Sequence, residues 1–437
     1  MRTMKDELSL KIMHISPMYH PAVGGAELHL KEVSEGLVAR GHQVTILTAD
    51  VKDSWAIVSN QRGGLPGHEI VNGVKVVRFD PRGGLLGAML RASMTVRGGY
   101  RLLSAILSHD EMAYLLRGPQ LFNMIPHIVS SGVDIVASMN WYWPPAYHAY
   151  LARRLKRFTL VGIPLFHTAR PWVDHPVYRR MLAQCDAVIA NTEHEAEFVQ
   201  QRAGTRAEVA GVGVHPEQFL HRDGSRIRSR YSLADKPVVG FVGRQIATKG
   251  IVKLIEAMRT VWKWNPDVRL AIAGPPAKLN DEVEGLIKSL NEQQAACVVR
   301  INEFPDEDKA SLYDAFDVFA LPSTEDSFGI SYLESWMCRK PVVGGRIPST
   351  QCVIDEGRDG FTADPYDAED IAAKVIDLLS DRDKRETMGR NGYNKTVSRF
   401  TWEKVTDKVE RLYRDLSASK GSRCIRAQIE PATPQVR

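Results

Sequence analysis

The chain has 437 residues, 44% hydrophobic and 25% charged, and its 57 Lys and Arg against 52 Asp and Glu leave a formal net charge of +5. This composition excludes a fibrous or largely disordered chain, and the length exceeds what one hydrophobic core fills, so two domains are expected. Five scattered cysteines (Cys185, Cys297, Cys338, Cys352 and Cys424) form no paired spacing, which argues for a reducing compartment and against a disulfide framework or a zinc site.

From the start, MRTMKDELSLKIMHISP contains no apolar core of signal-peptide length, and no later run approaches the ~18–20 apolar residues of a membrane span. The expectation is a cytoplasmic protein, with peripheral contact at the inner face of a membrane left open. Residues 11–16 read as a strand, 17–25 as a loop and 26–40 as a helix with Leu30, Val33 and Leu37 on one face. Gly41 ends that helix, and residues 43–48 form the next strand. This strand–loop–helix–strand unit begins a parallel sheet covered by helices. Residues 74–78, after an Asn72-Gly73 turn, and then 134–138, 160–166 and 187–191 are further strands.

Between them, residues 81–160 carry nine Lys or Arg that stand out: Arg82, Arg91, Arg97, Arg101, Arg117, Arg153, Arg154, Lys156 and Arg157. Only Asp110, Glu111 and Asp134 oppose them. Either these are solvated helix faces or they form a surface for anionic lipid or an anionic acceptor. The stretch 84–107 mixes Leu85, Leu86, Met89, Leu90 and Met94 with arginines, as an interfacial helix does. No nucleic-acid motif accompanies the charge, so nucleic acid is not an expected partner.

A polar hinge is expected over residues 215–236. A second series follows it: strands at 237–243, 268–273, 298–302, 318–322 and 341–344 alternate with helices at 251–264, 281–291, 306–315 and one beginning near Gly329. The fold class expected is therefore α/β, with two Rossmann-like domains facing each other across a cleft. A last helix spans 402–416, and the tail 417–437 is expected to be disordered.

Three segments carry chemistry. Gly24 and Gly25 sit just before the first helix, where glycines let backbone approach a ligand and a helix N-terminus favours an anion; a flexible turn is the alternative. Arg244 and Lys249 follow a strand end in the second half, and two cations there suit a diphosphate unless they are simply solvated. In LPSTEDSFGISYLESWM the amides of Gly329, Ile330 and Ser331 begin a helix and form an anion site. Glu334, one turn on, is within reach of ribose hydroxyls, and Asp326 of sugar hydroxyls. The alternative is that Asp326 caps the helix and Glu334 is buried against a cation.

Together these segments resemble the family 4 retaining glycosyltransferases of the GT-B fold. The family's paired acidic residues, eight positions apart around Phe-Gly, match Asp326, Phe328-Gly329 and Glu334, with Asp in place of the first Glu. Its Gly-Arg…Lys-Gly segment matches Gly243-Arg244 and Lys249-Gly250, and its Gly-Gly loop matches Gly24-Gly25. Pro365-Tyr366-Asp367 and Phe400-Thr401-Trp402 fit its C-terminal signature. The resemblance covers roughly residues 11–416.

It implies an acceptor-binding domain at 1–215, a nucleotide-sugar-binding domain at 216–400 and a helix at 401–416 crossing back to the first. It also implies transfer of a hexose from a UDP- or GDP-linked donor to a lipid-linked, glycan or small-molecule acceptor, with retention and without a metal or other cofactor. The donor contacts implied are Gly24, Gly25, Arg244, Lys249, Ser327, Phe328, Gly329, Ile330, Ser331 and Glu334. The catalytic group implied is His167, Asp326, Arg244 and Lys249, with His167 meeting the donor sugar and the donor phosphate serving as base. Glu325 stands beside Asp326 as a competitor for its role, and Arg339 stands where the family often has glycine.

Other readings remain at this point. An oxidoreductase lacks the GxGxxG fingerprint after the first strand. A GT-B-shaped epimerase or a non-catalytic sugar-binding protein would share the cleft. A glycosidase would need carboxylates on opposing walls.

Overall fold

Short apolar runs, too short for helices, become the strands of two sheets. A computed structural model describes residues 9–22, 24–59, 61–83, 88–89, 92, 107–233, 235–276 and 280–429. The first sheet contains β1 (Lys11–Ile15), β2 (Gln43–Ala49), β3 (His68–Val71), β4 (Val74–Phe79), β5 (Ile135–Met139), β6 (Thr159–Ile163), β7 (Ala187–Ala190) and β8 (Ala207–Val209), in the order β3-β4-β2-β1-β5-β6-β7-β8. The second contains β9 (Val238–Val242), β10 (Arg269–Ala273), β11 (Val298–Ile301), β12 (Val318–Leu321), β13 (Val342–Gly345) and β14 (Gly360–Ala363), in the order β11-β10-β9-β12-β13-β14.

Every pairing is parallel except the β3–β4 hairpin, whose turn residues Asn72 and Gly73 both take positive φ (48° and 83°), as a primed turn requires. Helices cover the sheets because their apolar faces have nowhere else to go. In Ile251–Trp264 the residues Ile251, Leu254, Ile255, Met258, Val261 and Trp262 are buried at helical spacing.

The strand order reverses between β1 and β5 in the first sheet and between β9 and β12 in the second. Open parallel sheets leave a crevice at such points, beyond the carboxyl ends of the strands. All three segments singled out from sequence emerge there: Gly24-Gly25 after β1, Arg244 and Lys249 after β9, and residues 322–329 after β12.

The chain passes between the two halves twice, and the passages lie side by side. Val214 forms a parallel bridge with Thr401, its amide donating to the Phe400 carbonyl at 3.0 Å and its carbonyl accepting from Trp402 at 3.2 Å. The stretch expected as a hinge, 215–236, is instead partly helical and tied to the second half. Its helix Gly224–Arg230 is fastened by Arg228 to Asp317 at 2.8 Å and by Arg226 to Asp308.

The helix Trp402–Ile429 then returns to the first half and lies on the helix Gly25–Ala39. Tyr413 meets His14 (3.1 Å between Oη and Nε2), Trp402 packs its ring against His29, and Arg40 binds Asp407 at 2.6 Å. It runs past Leu416 to Ile429, so residues 417–429, expected to be disordered, are helical.

Of the stretch 84–107, expected as an interfacial helix, only residues 88, 89, 92 and 107 lie among those described. Met89 is exposed, as are Arg154, Leu155, Lys156 and Arg157 at the end of the helix Pro145–Leu155. Arg82 is paired with Asp80 and Arg153 with Asp186. Among the described residues no helix is long and apolar enough to cross a membrane.

Candidate active site

The loop after β9 is shaped by one glycine. Gly250 takes φ 72°, a conformation that side chains disfavour, and a Cβ there would collide with the Pro322 carbonyl. That close approach lets Thr324 donate its amide to the Thr248 carbonyl at 3.0 Å and draws the loops after β9 and β12 together. Lys249 is thereby placed to bind Asp326 at 2.6 Å, both side chains being largely buried. The two residues assigned from sequence to diphosphate and sugar are thus joined into one ion pair. Ser349 fixes the Asp326 backbone by donating to its carbonyl at 2.6 Å. Arg244, by contrast, is exposed, and its guanidinium makes no ion pair or hydrogen bond with any described residue, while its carbonyl accepts from the Ile246 amide at 2.9 Å.

Beyond β12 the helix Ile330–Met337 buries Tyr332, Leu333, Trp336 and Met337. Its N-cap is Gly329, with φ 97° and no side chain to cap the helix. The amides of Gly329, Ile330 and Ser331 find no acceptor among the described residues, so this N-terminus retains its donors and partial positive charge. Phe328, expected among the donor contacts, is buried and packs edge-on against Phe400, with ring centroids 5.4 Å apart, so its side chain belongs to the core beside the domain crossing. Ser327 remains half-buried in the turn.

Glu334 is buried and already partnered: Lys309 binds one oxygen and Tyr313 donates to the other at 2.7 Å. This is the alternative left open for it, a carboxylate held against a cation. Each oxygen keeps a second lone pair. The Glu334 charge more than offsets the burial that would lower the Lys309 pKa, and holds it above the ordinary lysine range. At the far end of the same helix Arg339 adopts φ 55°, the left-handed state that explains why glycine suits the position.

The first half contributes the opposite wall. A Cβ on Gly25 would sit 3.8 Å from Ile330 Cδ1, which brings the Gly-Gly turn into contact range of the helix N-terminus. Gly24 is extended, and a Cβ there would collide with the carboxylate of Glu27. Glu27 is buried, and its Oε1 has no protein partner. Burial raises its pKa above the ordinary range, partly countered by its own backbone amide and by the charge of Arg244 across the cleft.

His167 lies in the loop after β6 with its amide donating to the Tyr142 hydroxyl at 2.6 Å. Burial lowers its imidazole pKa, and the charges of Asp326, Lys249 and Glu325 all act on it. The structure therefore brings His167, Lys249 and Asp326 together from two domains. Glu325, the competitor of Asp326, turns instead to the first half: Arg170 binds it, and His167 Nδ1 lies 3.8 Å away.

Arg170, Tyr142, Glu27, Lys309 and Tyr313 were not singled out from sequence. Each belongs to the site through contacts between distant segments, a signal that no local pattern carries. His14 and His29 are buried, with burial pushing their pKa values down to about 3 and about 4; His14 is hydrogen-bonded between Ser34 and Tyr413 and His29 packs on Trp402, so both serve the seat of the last helix.

A constellation of this kind, with an unpaired guanidinium and free amides at one strand switch point and a half-buried imidazole opposite, can hold a diphosphate and a neutral polar group at once. Comparison with known proteins accords with that chemistry. The family described as "Glycosyl transferase 4-like domain" matches residues 24–215, and the one described as "Glycosyl transferases group 1" matches residues 225–395. A D-inositol 3-phosphate glycosyltransferase of Corynebacterium urealyticum is 28% identical over 433 residues, spanning 92% of this chain and 94% of its own. The protein of the same name from Corynebacterium kroppenstedtii is 26% identical over 447 residues, spanning 94% and 90%. Sucrose-phosphate synthase from Thermosynechococcus elongatus shares the fold with a TM-score of 0.70 at 20% identity, over 94% of this chain and all of its own (100%). The Anabaena protein HepE, solved in complex with UDP and glucose, gives 0.68 at 18% identity over 93% and 100%.

Proposed function

The chain belongs to the group 1 glycosyltransferases of family 4 and has the GT-B fold, and from that premise we propose that it moves a hexose from a UDP- or GDP-linked donor to an acceptor hydroxyl with retention of configuration and without a metal. The observation that carries this reading is the unpaired Arg244 beside the uncapped helix at Gly329, both at the switch point of the second sheet.

In the proposed step the bond between the anomeric carbon and the diphosphate oxygen breaks, and the nucleoside diphosphate departs with the electron pair. The acceptor oxygen bonds to the anomeric carbon on the same face and passes its proton to the departing phosphate. Negative charge grows on the leaving group; Lys249 and the amides of Gly329, Ile330 and Ser331 face it already held in place and Arg244 is free to close on it, so they stabilise the transition state more than the ground state. Asp326 and the neutral His167 accept and donate hydrogen bonds at sugar hydroxyls. Glu334 uses its remaining lone pairs for the ribose while Lys309 and Tyr313 keep it in place.

The acceptor binds the first half and is lipid-linked, a glycan or a small molecule. The name shared by the two corynebacterial relatives makes D-inositol 3-phosphate the small molecule to try first. The exposed run Arg154 to Arg157 supports contact with an anionic membrane surface.

The test is a thermal-shift panel of UDP- and GDP-sugars, followed by incubation of the stabilising donor with candidate acceptors and measurement of the product's anomeric coupling by NMR. A product with the donor's configuration is expected. An inverted product would overturn retention, and a new nucleotide sugar formed without an acceptor would replace transfer with epimerisation.

A further inference from the structure

We infer that Glu195 is a positioning residue for the donor-facing loop of the first domain, clamping backbone amides so that His167 meets the opposite domain. The inference rests on the reading that His167 contacts the donor sugar. Glu195 lies in the first turn of the helix Glu193–Ala203, three residues after the N-cap Thr192, whose hydroxyl accepts from the Glu195 amide at 3.2 Å. A Thr followed three residues later by Glu is the signature of a capping box, in which the carboxylate closes on the N-cap amide.

Here the carboxylate goes elsewhere. One oxygen accepts from the Phe166 amide at 2.8 Å, and the other accepts from the Asn191 amide at 2.8 Å. Phe166 is 29 residues away in sequence, in the loop after β6 and directly before His167. The side chain is 1% exposed, so its contacts are set by the protein and not by solvent.

The loop it holds is not one the chain adopts freely. Leu165 has φ 59°, a left-handed conformation disfavoured for a residue with a branched side chain. A conformation of that kind persists only where its surroundings over-determine it, and such residues cluster where geometry serves function. The next amide along, that of His167, is fixed by the Tyr142 hydroxyl, and the Arg170 amide donates back to the His167 carbonyl at 2.9 Å. His167 and Arg170 both face Glu325 of the second domain from this short stretch. A carboxylate serving its own helix alone would have no reason to bridge to Phe166. Held at its base by Glu195, the loop presents the imidazole and the guanidinium at a fixed distance from the donor side of the cleft.

The experiment uses the full chain with isotope-labelled histidine and follows the His167 ring resonances, assigned by their loss in His167→Ala. Glu195→Gln keeps the volume but turns an NH2 toward one amide. The expected result is a displaced His167 resonance with those of His14, His148 and His215 unmoved. An unmoved His167 resonance would overturn the inference. Should Glu195→Gln fail to fold, Glu195→Asp, which keeps the charge but shortens the reach, is read in the same way.

With the donor found by the thermal-shift panel, Glu195→Gln should lower kcat roughly 10- to 100-fold. It should cost nothing further in a His167→Ala background. Full additivity would count against Glu195 acting through His167. Unchanged turnover in His167→Ala alone would sink the donor-sugar reading, while the resonance still decides Glu195.

Discussion

Asp326 and Lys249 form an ion pair at 2.6 Å, and each is proposed to take a second role when a donor binds. The pair holds Lys249 at the cleft without a ligand and keeps the Asp326 carboxylate aimed. Asp326→Asn should therefore lower turnover by about 100-fold or more while leaving nucleoside diphosphate affinity within a few-fold, because the lost charge acts at the sugar and not at the phosphates. Equal turnover in steady-state assays would remove Asp326 from its role. Lys309→Ala tests a different point. It leaves the buried Glu334 with Tyr313 alone, and an unpaired buried carboxylate is costly. The Lys309 side chain is 34% exposed, so the loss should be about 1–3 kcal/mol, below that of a fully buried pair, and visible as a lowered denaturant midpoint. At this scale the motif residues were legible because Arg244, Lys249, Asp326 and Glu334 stand at fixed spacings after strands. Their partners were not: Lys309, Tyr313 and Arg170 reach the site from segments whose local sequence is that of ordinary helices and loops.

Among the elements, the strands at the sheet centres were readable because both faces are covered and their residues are nearly all apolar, as in β1, β5, β9 and β12. The edge strands β3 and β8 alternate or are too short to stand out, and Ile70 in β3 is exposed. The stretch 215–236 read as a hinge because polar composition marks a surface segment, whereas the two chain crossings meet in the backbone bridge between Val214 and Thr401, a pairing that no local pattern carries. Gly250→Ala tests how the two donor loops are joined. Overpacking against the Pro322 carbonyl should separate the loops after β9 and β12, lower stability by about 1–3 kcal/mol and weaken donor binding as well. A variant with wild-type melting and donor affinity would show that the contact yields.

The His215–Glu32 pair, 2.6 Å apart, ties the segment after the crossing to the helix Gly25–Ala39 and makes stability depend on pH. The hydrogen bond to Glu32 leads in raising the His215 pKa above its usual 6.5. Burial pushes the Glu32 carboxyl up, but His215 and Lys31 outweigh it and leave it below 4.5. The histidine contribution is full below pH 6.5 and fades as pH rises through the raised pKa. The glutamate contribution is full above pH 4.5 and fades as pH falls through the lowered one. The melting difference between the protein and Glu32→Gln should peak between these limits and shrink above neutrality. A difference that does not vary with pH would dismiss the pair as a contributor.

For the whole molecule, two parallel sheets present their carboxyl ends to each other, and the second crossing leads into a helix that locks onto the first half through His14, Arg40 and Trp402. The general architecture was legible from alternating strands and helices in both halves, whereas the close approach of Gly25 to Ile330 and the ion pair of Arg170 with Glu325 emerge only when both halves are folded. The exposed Arg154, Lys156 and Arg157 should give salt-sensitive sedimentation with anionic vesicles, lost on charge reversal of the three. Absence of binding at low salt would leave a freely diffusing acceptor as the better reading. In the proposed function the second half grips a diphosphate through the unpaired Arg244 and the uncapped helix at Gly329. Calorimetric titration of the protein and its Arg244→Ala variant with UDP and GDP measures that grip. One of the two should bind the protein and lose about tenfold or more in affinity in the variant. Binding of equal strength to both proteins, or no binding of either nucleotide, would remove Arg244 and the helix at Gly329 from a diphosphate site.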